Sequence, residues 1–217
     1  MERRYQVFIS STYTDLLDER REVIQALLEL DCIPAGMELF PAANDDQWLL
    51  ITRVIDDCDY YIVIVGGRYG SISESGISYT EREYDYAMSR GVPILGFLHE
   101  DPGSIPASKV EANSVAVVKL AEFRRKVKSK PVRTYKTPAE LGAVVSRSLF
   151  KLIKSNPAEG WVRGQFAITS EMSEELSRLR AQVAEEALRR ANVELEISRT
   201  MEQFAQGSDR VALHYTI

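Results

Sequence analysis

The segment YYIVIV, residues 60–65, constrains the fold more than any other part of the chain. Its six residues are all apolar or aromatic, without the alternation that marks a strand with one face in water. A strand of this kind has to be covered on both faces, as in the centre of a parallel sheet. Gly66 and Gly67 follow it and permit a sharp turn or a close approach of another group. The sequence therefore predicts an α/β protein built around this strand.

Short β-rich segments alternate with segments of helical periodicity over the first two thirds of the chain. The predicted strands are 5–9, 32–37, 60–65, 92–98 and 132–135, and the predicted helices are 15–30, 48–55, 80–90, 115–127 and 138–153. Strands that alternate with helices favour right-handed crossovers, which make the strands parallel. We therefore predict a flavodoxin-like, doubly wound fold with a five-stranded parallel sheet in the order 2-1-3-4-5.

The last third of the chain has a different pattern. After a domain predicted to span 1–155, residues 156–169 contain one proline and two glycines and are predicted to be a linker. Residues 170–206 contain neither proline nor glycine, and their apolar spacing of four, three and four is followed by a slip. We expect one long amphipathic helix that either pairs as a coiled coil or packs back on the domain. Residues 207–217 are interpreted as a β-like tail.

Composition excludes some classes of function and location. The formal net charge of −5 argues against a nucleic-acid-binding surface. No stretch approaches the roughly 20 apolar residues of a membrane span, and the N-terminus does not resemble a signal peptide. Cys32 and Cys58 are expected to be reduced, and no histidine or cysteine spacing suggests a metal site. We therefore predict a cytoplasmic protein that binds no metal, membrane or nucleic acid and uses no cofactor.

Ligands of doubly wound sheets bind outside the carboxyl ends of the strands, near the point where strand order reverses. In this chain that edge brings together residues 10–12, 37–40 and 66–70, with the start of the helix at Thr80. Hydroxyls and glycine amides can donate hydrogen bonds to ribose or phosphate oxygens. An equally good interpretation makes Ser10, Ser11 and Thr12 turn residues that cap the first helix.

The segment SYTEREY, residues 78–84, holds the strongest candidates for chemistry. Ser78 or Thr80 can cap the helix, and a glutamate in the first turn suits its dipole. Glu81 and Glu83 are two residues apart, so at most one of them faces the cleft. A carboxylate at this edge can stabilise positive charge on a sugar ring during glycosidic cleavage.

Several other polar residues are weaker candidates. Arg68 and Tyr69, in the loop after the third strand, could contact a phosphate and stack on a base. Asp15, Asp18, Glu19 and Arg20 are interpreted as a solvated helix face, with pairing of Asp15 and Arg20 to site residues as the alternative. The basic run 124–130 is likewise interpreted as a solvated helix face.

Three motifs resemble an uncharacterised bacterial family related to TIR domains. They are YxVFISST, DxxxxR beginning at Asp15, and GRYG followed by SxTxxEY. Phe8-Ile9-Ser10 is similar to the first TIR box, and Tyr79-x-x-x-Glu83 is similar to the aromatic-x-x-x-Glu arrangement of NAD-cleaving TIR domains. The resemblance implies that Glu83 is catalytic, with Glu81 as its competitor. The predicted substrate-binding residues are Ser10, Ser11, Thr12, Gly66, Gly67, Arg68, Tyr69 and Tyr79.

The resemblance also implies a function. We expect a TIR-like effector domain that hydrolyses the N-glycosidic bond of NAD, its substrate rather than its cofactor, or of a related nucleotide. Such domains commonly act after self-assembly, for which the domain and helix 170–206 are the candidates, in bacterial antiphage-type defence or signalling. The alternative is a non-catalytic interaction or nucleotide-sensing module of a larger protein with a sensor or NTPase region. A nucleoside deoxyribosyltransferase, which shares the sheet and a glutamate, is a further alternative.

Overall fold

The computed structural model describes residues 3–36, 47–73, 75–164 and 170–206. Contacts divide the chain into two compact units, Met1–Val162 and Arg163–Ile217. The boundary falls inside the predicted linker 156–169. The last residues of the first unit return to its beginning, because the backbone of Trp161 forms an antiparallel bridge with Arg4. The predicted β-like tail, 207–217, lies outside the described residues.

The first unit alternates strands with helices, as predicted. Its strands are β1 Gln6–Ser11, β2 Ile33–Ala35, β3 Tyr60–Val65, β4 Ile94–His99 and β5 Val132–Tyr135. Its helices are α1 Leu17–Glu29, α2 Gln47–Asp56, α3 Tyr79–Arg90, α4 Ser114–Lys128 and α5 Pro138–Ser155. The strands form one parallel sheet in the order β2-β1-β3-β4-β5. This confirms the predicted flavodoxin-like fold.

The second unit contains the long helix α6, Ser170–Gln206. Its 37 residues correspond to the predicted helix 170–206. None of the helices in the described parts of the chain has the length and apolarity of a membrane span.

Side chains of the central strands alternate between two cores, one on each side of the sheet. Phe8, Tyr61 and Val63 belong to the core that includes residues of α2, α3 and α4. Ile9 and Ile62 belong to the core that includes residues of α1 and α5. All six residues of β3 are buried, as the unbroken apolar run predicts.

Strand β1 is longer than predicted. Ser10 and Ser11 pair with Val63 and Ile64 of β3, so both serines lie in the sheet and not in a turn. Helix α1 begins after Leu16, whose side chain makes no capping hydrogen bond. The interpretation of Ser10 and Ser11 as caps of the first helix is therefore wrong.

The basic run of α4 is not a uniformly solvated face. Arg124 is half-buried and donates to the carbonyl oxygens of Val65 at 3.3 Å, Gly66 at 3.2 Å and His99 at 2.7 Å. Parallel strands leave such carbonyls unpaired where they end, and a guanidinium can satisfy several of them at once. Lys126 is engaged in ion pairs with α3, described below. Arg125 is exposed, as the sequence predicted.

Behind the strand ends, on the α1 side of the sheet, lies a cavity of about 280 Å³. Asp15, Glu19 and His99 line it and are more than nine-tenths buried, so the first two do not form the predicted solvated face. Burial raises the pKa of the Asp15 carboxyl, while the nearby Thr12 side chain and the charges of Arg68 and Lys109 oppose that rise.

We expect Arg124→Gln to lower the free energy of unfolding by about 2 kcal/mol, the usual range for hydrogen bonds from a charged group. The change removes bonds to the ends of two strands, β3 and β4. Urea unfolding measures it. Arg125→Gln, an exposed neighbour on the same helix, serves as the control and should change stability by less than about 0.5 kcal/mol. Equal effects of the two substitutions would contradict the role given to Arg124.

We expect Asp15→Asn to become more stable relative to the wild type as the pH rises. The folded-state pKa of Asp15 lies above its ordinary value of 3.8, so the folded protein binds this proton more tightly than the unfolded chain does. Wild-type stability therefore falls as pH rises from the unfolded-state pKa through the folded-state pKa, and the amide lacks that dependence. Urea unfolding at pH 4 and pH 8 tests this, with the exposed Asp18→Asn as control. A difference from wild type that does not vary with pH would refute it.

Candidate functional site

Helix α3 presents Glu83 to the sheet. The helix begins after Ser78, whose hydroxyl accepts a hydrogen bond from the Glu81 amide at 3.2 Å, and Thr80, Glu83 and Tyr84 share its buried face. Only 4% of Glu83 is exposed. The Ser10 hydroxyl, near the end of β1, donates to Glu83 Oε2 at 2.5 Å. Two residues 73 positions apart are thus joined where the strand ends.

Tyr61 lies against this pair on the same side of the sheet. Its phenol is fully buried, and that burial, together with the nearby charge of Glu83, raises its pKa well above 10. Tyr61 is not among the site residues predicted from the sequence. Strand periodicity could have indicated its position. Tyr61 and Val63 are two residues apart and share one face of β3, and Val63 pairs with Ser10.

The end of β1 is fixed by a cation from α1. Arg20 donates to the hydroxyl of Ser11 at 2.7 Å and to the carbonyl of Ile9 at 3.3 Å. The Ser11 hydroxyl in turn donates to the Thr12 carbonyl at 2.8 Å. Arg20 is buried, so it belongs to the site's support and not to a solvated face. Arg20 thus pairs with Ser11, one of the predicted substrate-binding residues, as the alternative interpretation expected.

The loops after β1 and β3 meet at the start of α3. Gly70 has φ +92°, and a Cβ added there would lie 2.8 Å from Thr12 Cγ2 and 3.9 Å from Thr80 Oγ1. Position 70 therefore requires glycine both for its backbone conformation and for the closeness of Thr12. Three of the four predicted segments come together here. The fourth, 37–40, lies outside the described residues.

Gly66 and Gly67 are approached closely by the protein itself. A Cβ on Gly66 would lie 2.7 Å from Leu16 Cδ2, and one on Gly67 would lie 2.6 Å from the Lys109 carbonyl oxygen. Arg68, next in the chain, donates to the Ser108 carbonyl at 2.7 Å. Packing thus explains both glycines without a ligand, and substrate binding by these three residues stays a prediction.

Glu81 occupies a different environment from Glu83. Tyr69 donates to Glu81 Oε2 at 2.6 Å, and Lys126 of α4 lies 2.9 Å from Oε1. Lys126 also pairs with Asp85 at 2.6 Å. Glu81 therefore ties the loop after β3 and α4 to the start of α3. A carboxylate already paired with an ammonium group is poorly suited to stabilise a second cation.

Tyr69 takes part in the same set of contacts at the start of α3. Besides its bond to Glu81, the Tyr69 hydroxyl accepts a hydrogen bond from the Ser78 amide at 3.1 Å. Its burial raises the pKa of the phenol, and the Glu81 bond adds to that rise. With only 1% of the residue exposed, the ring has no open face on which a base could stack in this structure. Its predicted contact with substrate is not supported by this placement.

Two aromatic residues flank the start of α3 with part of their surface accessible. Tyr79 is half-buried against the core on the α2–α4 side, one helical turn before Glu83. Trp48 of α2 is also half-buried, and the Arg82 guanidinium lies 3.7 Å above its ring. Arg82 is not predicted from the sequence, since no local pattern indicates its contact with a side chain 34 positions away. Among the described residues, no group of three or more potential metal ligands comes together.

Comparison with known proteins places the chain in a family. Residues 6–150 match the family described as Domain of unknown function (DUF4062). No curated protein matches. Among solved structures, the TIR domains of the activated Roq1 resistosome, which recognises the pathogen effector XopQ, are 12% identical with a TM-score of 0.47. That similarity covers 69% of this chain and 99% of the other.

A second similar structure is the CMP N-glycosidase BcmB of Clostridium botulinum. It is 17% identical with a TM-score of 0.42, over 66% of this chain and 98% of the other. The family match extends over more than half of the chain and includes Ser10, the loop after β3 and Glu83. The chain therefore belongs to the DUF4062 family.

Proposed function

We propose that the sheet domain hydrolyses the N-glycosidic bond of NAD or a related nucleotide, with Glu83 as the catalytic carboxylate. One observation carries the proposal: α3 aims this carboxylate at the end of β1, beside the meeting point of Thr12, Gly70 and Thr80. This is the edge at which doubly wound sheets bind ligands. Of the two candidate glutamates, Glu83 is the one that faces the sheet.

The reaction requires stabilisation of a cation on the ribose. When the bond between ribose C1′ and the nicotinamide nitrogen breaks, its electron pair goes to that nitrogen and cancels the charge of the pyridinium ring. Positive charge then develops on the ribose, where a carboxylate in a dry site stabilises it strongly. Water adds to C1′ and releases its proton. The products are nicotinamide, ADP-ribose and one proton, and no metal or general acid is required.

The Ser10–Glu83 bond sets a condition for this chemistry. Because Glu83 is almost fully buried, a substrate must open the site and exchange one of its own hydroxyls for that of Ser10. Thr12, Gly66, Gly67, Arg68 and Tyr79 are candidates to hold the nucleotide around Glu83. Self-assembly of the domain and a role in bacterial defence or signalling complete the proposal. They rest on the motifs that resemble TIR domains.

A second candidate function is a non-catalytic interaction or nucleotide-sensing module of a larger protein. The Ser10–Glu83 bond favours it, because this bond satisfies the carboxylate inside the fold. In that case Glu83 holds α3 on the sheet and performs no chemistry. The Glu81 contacts with Tyr69 and Lys126 would then serve the same structural purpose.

We expect Glu83→Gln to reduce nicotinamide release from NAD by about 100-fold or more, as is usual when a group that stabilises transition-state charge is lost. The amide keeps the size of the side chain and can still accept a bond from Ser10. Concentrated protein is incubated with NAD, and nicotinamide is quantified by chromatography. Glu81→Gln is the matched control, and it should retain release because Glu81 is turned toward Tyr69 and Lys126.

Two outcomes would overturn the assignment. Release lost equally in both variants, with both folded, would show that Glu83 has no special role. If the wild type releases neither nicotinamide from NAD nor the base from pyrimidine nucleotides at any protein concentration, the proposed hydrolase activity is rejected. Calorimetry then separates the remaining possibilities: nucleotide binding without release indicates a sensor, and no binding indicates an interaction module.

A further inference from the structure

Helix α6 carries a long row of exposed apolar side chains. Every described side chain of the helix, from residue 172 to residue 202, is exposed. The row includes Leu176, Leu179, Val183, Val193 and Ile197, which are 43–67% exposed. Helices that expose so much apolar surface along one line are typical of coiled coils. This observation is independent of the function proposed for the sheet domain.

The row follows a seven-residue repeat that a pair of charged residues interrupts at its centre. Steps of four and three alternate from residue 172 to residue 200, through four heptads, which is long enough for a stable seam. The seam positions are occupied by Met172, Leu176, Leu179, Val183, Glu186, Arg190, Val193, Ile197 and Thr200. In this register the seven-residue spacing continues where the sequence pattern of apolar residues shows a slip. The interruption is instead a charged pair, Glu186 and Arg190, at the centre of the seam.

The seam is complementary to itself when read backwards about residue 188. Val183 then lies opposite Val193, Leu179 opposite Ile197, and Leu176 opposite Thr200. At the centre, Glu186 of each copy lies opposite Arg190 of the other. We propose that α6 forms an antiparallel two-stranded coiled coil with α6 of a second copy of this chain, centred on Leu188.

Charge decides the orientation. A parallel, in-register pair would place Glu186 against Glu186 and Arg190 against Arg190 in successive layers of the seam. Like charges brought together in a desolvated interface are strongly unfavourable, whereas opposite charges there fix register and orientation. The antiparallel pair brings together only opposite charges in the seam.

Charges beside the seam do not reverse this choice. The parallel arrangement would pair Glu175 with Arg180 and Arg189 with Glu194, while the antiparallel arrangement pairs Arg180 with Glu194 and brings the two copies of Arg189 together. Ion pairs on an exposed rim contribute at most about 1 kcal/mol each. Arg189 already bonds to Glu185 of its own helix at 2.8 Å, which reduces its repulsion of the partner copy. The seam charges therefore outweigh the rim.

The oligomeric state tests the interface. The full chain has a monomer mass of 24.5 kDa, and we expect sedimentation equilibrium to show a concentration-dependent dimer. Glu186→Arg or Arg190→Glu alone should raise the dissociation constant by about tenfold or more, because each puts like charges opposite each other. The double variant E186R/R190E should restore association. Glu174→Arg, on the exposed face outside the seam, is the control and should leave it unchanged.

Labels on the helix test its orientation. Ser177→Cys and Ser198→Cys each carry one spin label, while burial raises the pKa of Cys32 to about 11 and of Cys58 to about 12, so the native thiols react slowly. In the antiparallel pair, labels at the same site lie about 32 Å apart along the axis. Labels at 177 of one copy and 198 of the other lie side by side. Pulsed electron resonance measures both distances.

Three outcomes would overturn the proposal. A monomer at all concentrations would show that α6 is covered from within the chain or remains open. Close same-site labels would show a parallel pair. Association that is unaffected by either single charge change, or that the double variant fails to restore, would show that Glu186 and Arg190 do not lie opposite each other.

Discussion

The burial of β3 on both faces is the constraint on which the rest of the first unit depends. Because none of its six side chains can face water, α1 and α5 must cover one side and α2, α3 and α4 the other. The strand order then reverses between β1 and β3, the two strands whose loops meet at Thr12 and Gly70. Glu83 reaches this point because α3 follows β3 and lies on the same side of the sheet as the Ser10 side chain.

Cations from helices hold the carboxyl edge of the sheet. Arg20 of α1 binds the end of β1, and Arg124 of α4 binds the ends of β3 and β4. Lys126, also on α4, binds two acidic residues of α3. The two candidate glutamates contact different side chains: Glu81 pairs with the Lys126 ammonium group, and Glu83 accepts a hydrogen bond from the Ser10 hydroxyl. The two-residue spacing of Glu81 and Glu83 predicts that they point in different directions, but it does not predict which side chains they contact.

Local patterns predicted the sheet order, the helices and the divergence of Glu81 from Glu83, since each depends on periodicity within a few residues. They did not predict the features that depend on contacts between residues distant in sequence. Ser10 and Ser11 have the composition of a turn, yet pairing with β3 extends β1 through them. Arg124 sits in a basic run that suggests a solvated face, yet it binds backbone carbonyls at the ends of β3 and β4. Tyr69 could not be recognised as buried for the same reason.

The ion pairs of Lys126 connect α4 to the part of α3 that carries Glu83. Glu81 and Asp85 lie on either side of Glu83 along α3, and both are fastened to the same ammonium group. Ser10, by contrast, belongs to the sheet. The two ion pairs therefore link the position of α4 to that of α3, and so to the hydrogen bond between Ser10 and Glu83. An ion pair near the surface of the domain is in this way connected to a carboxylate that is only 4% exposed.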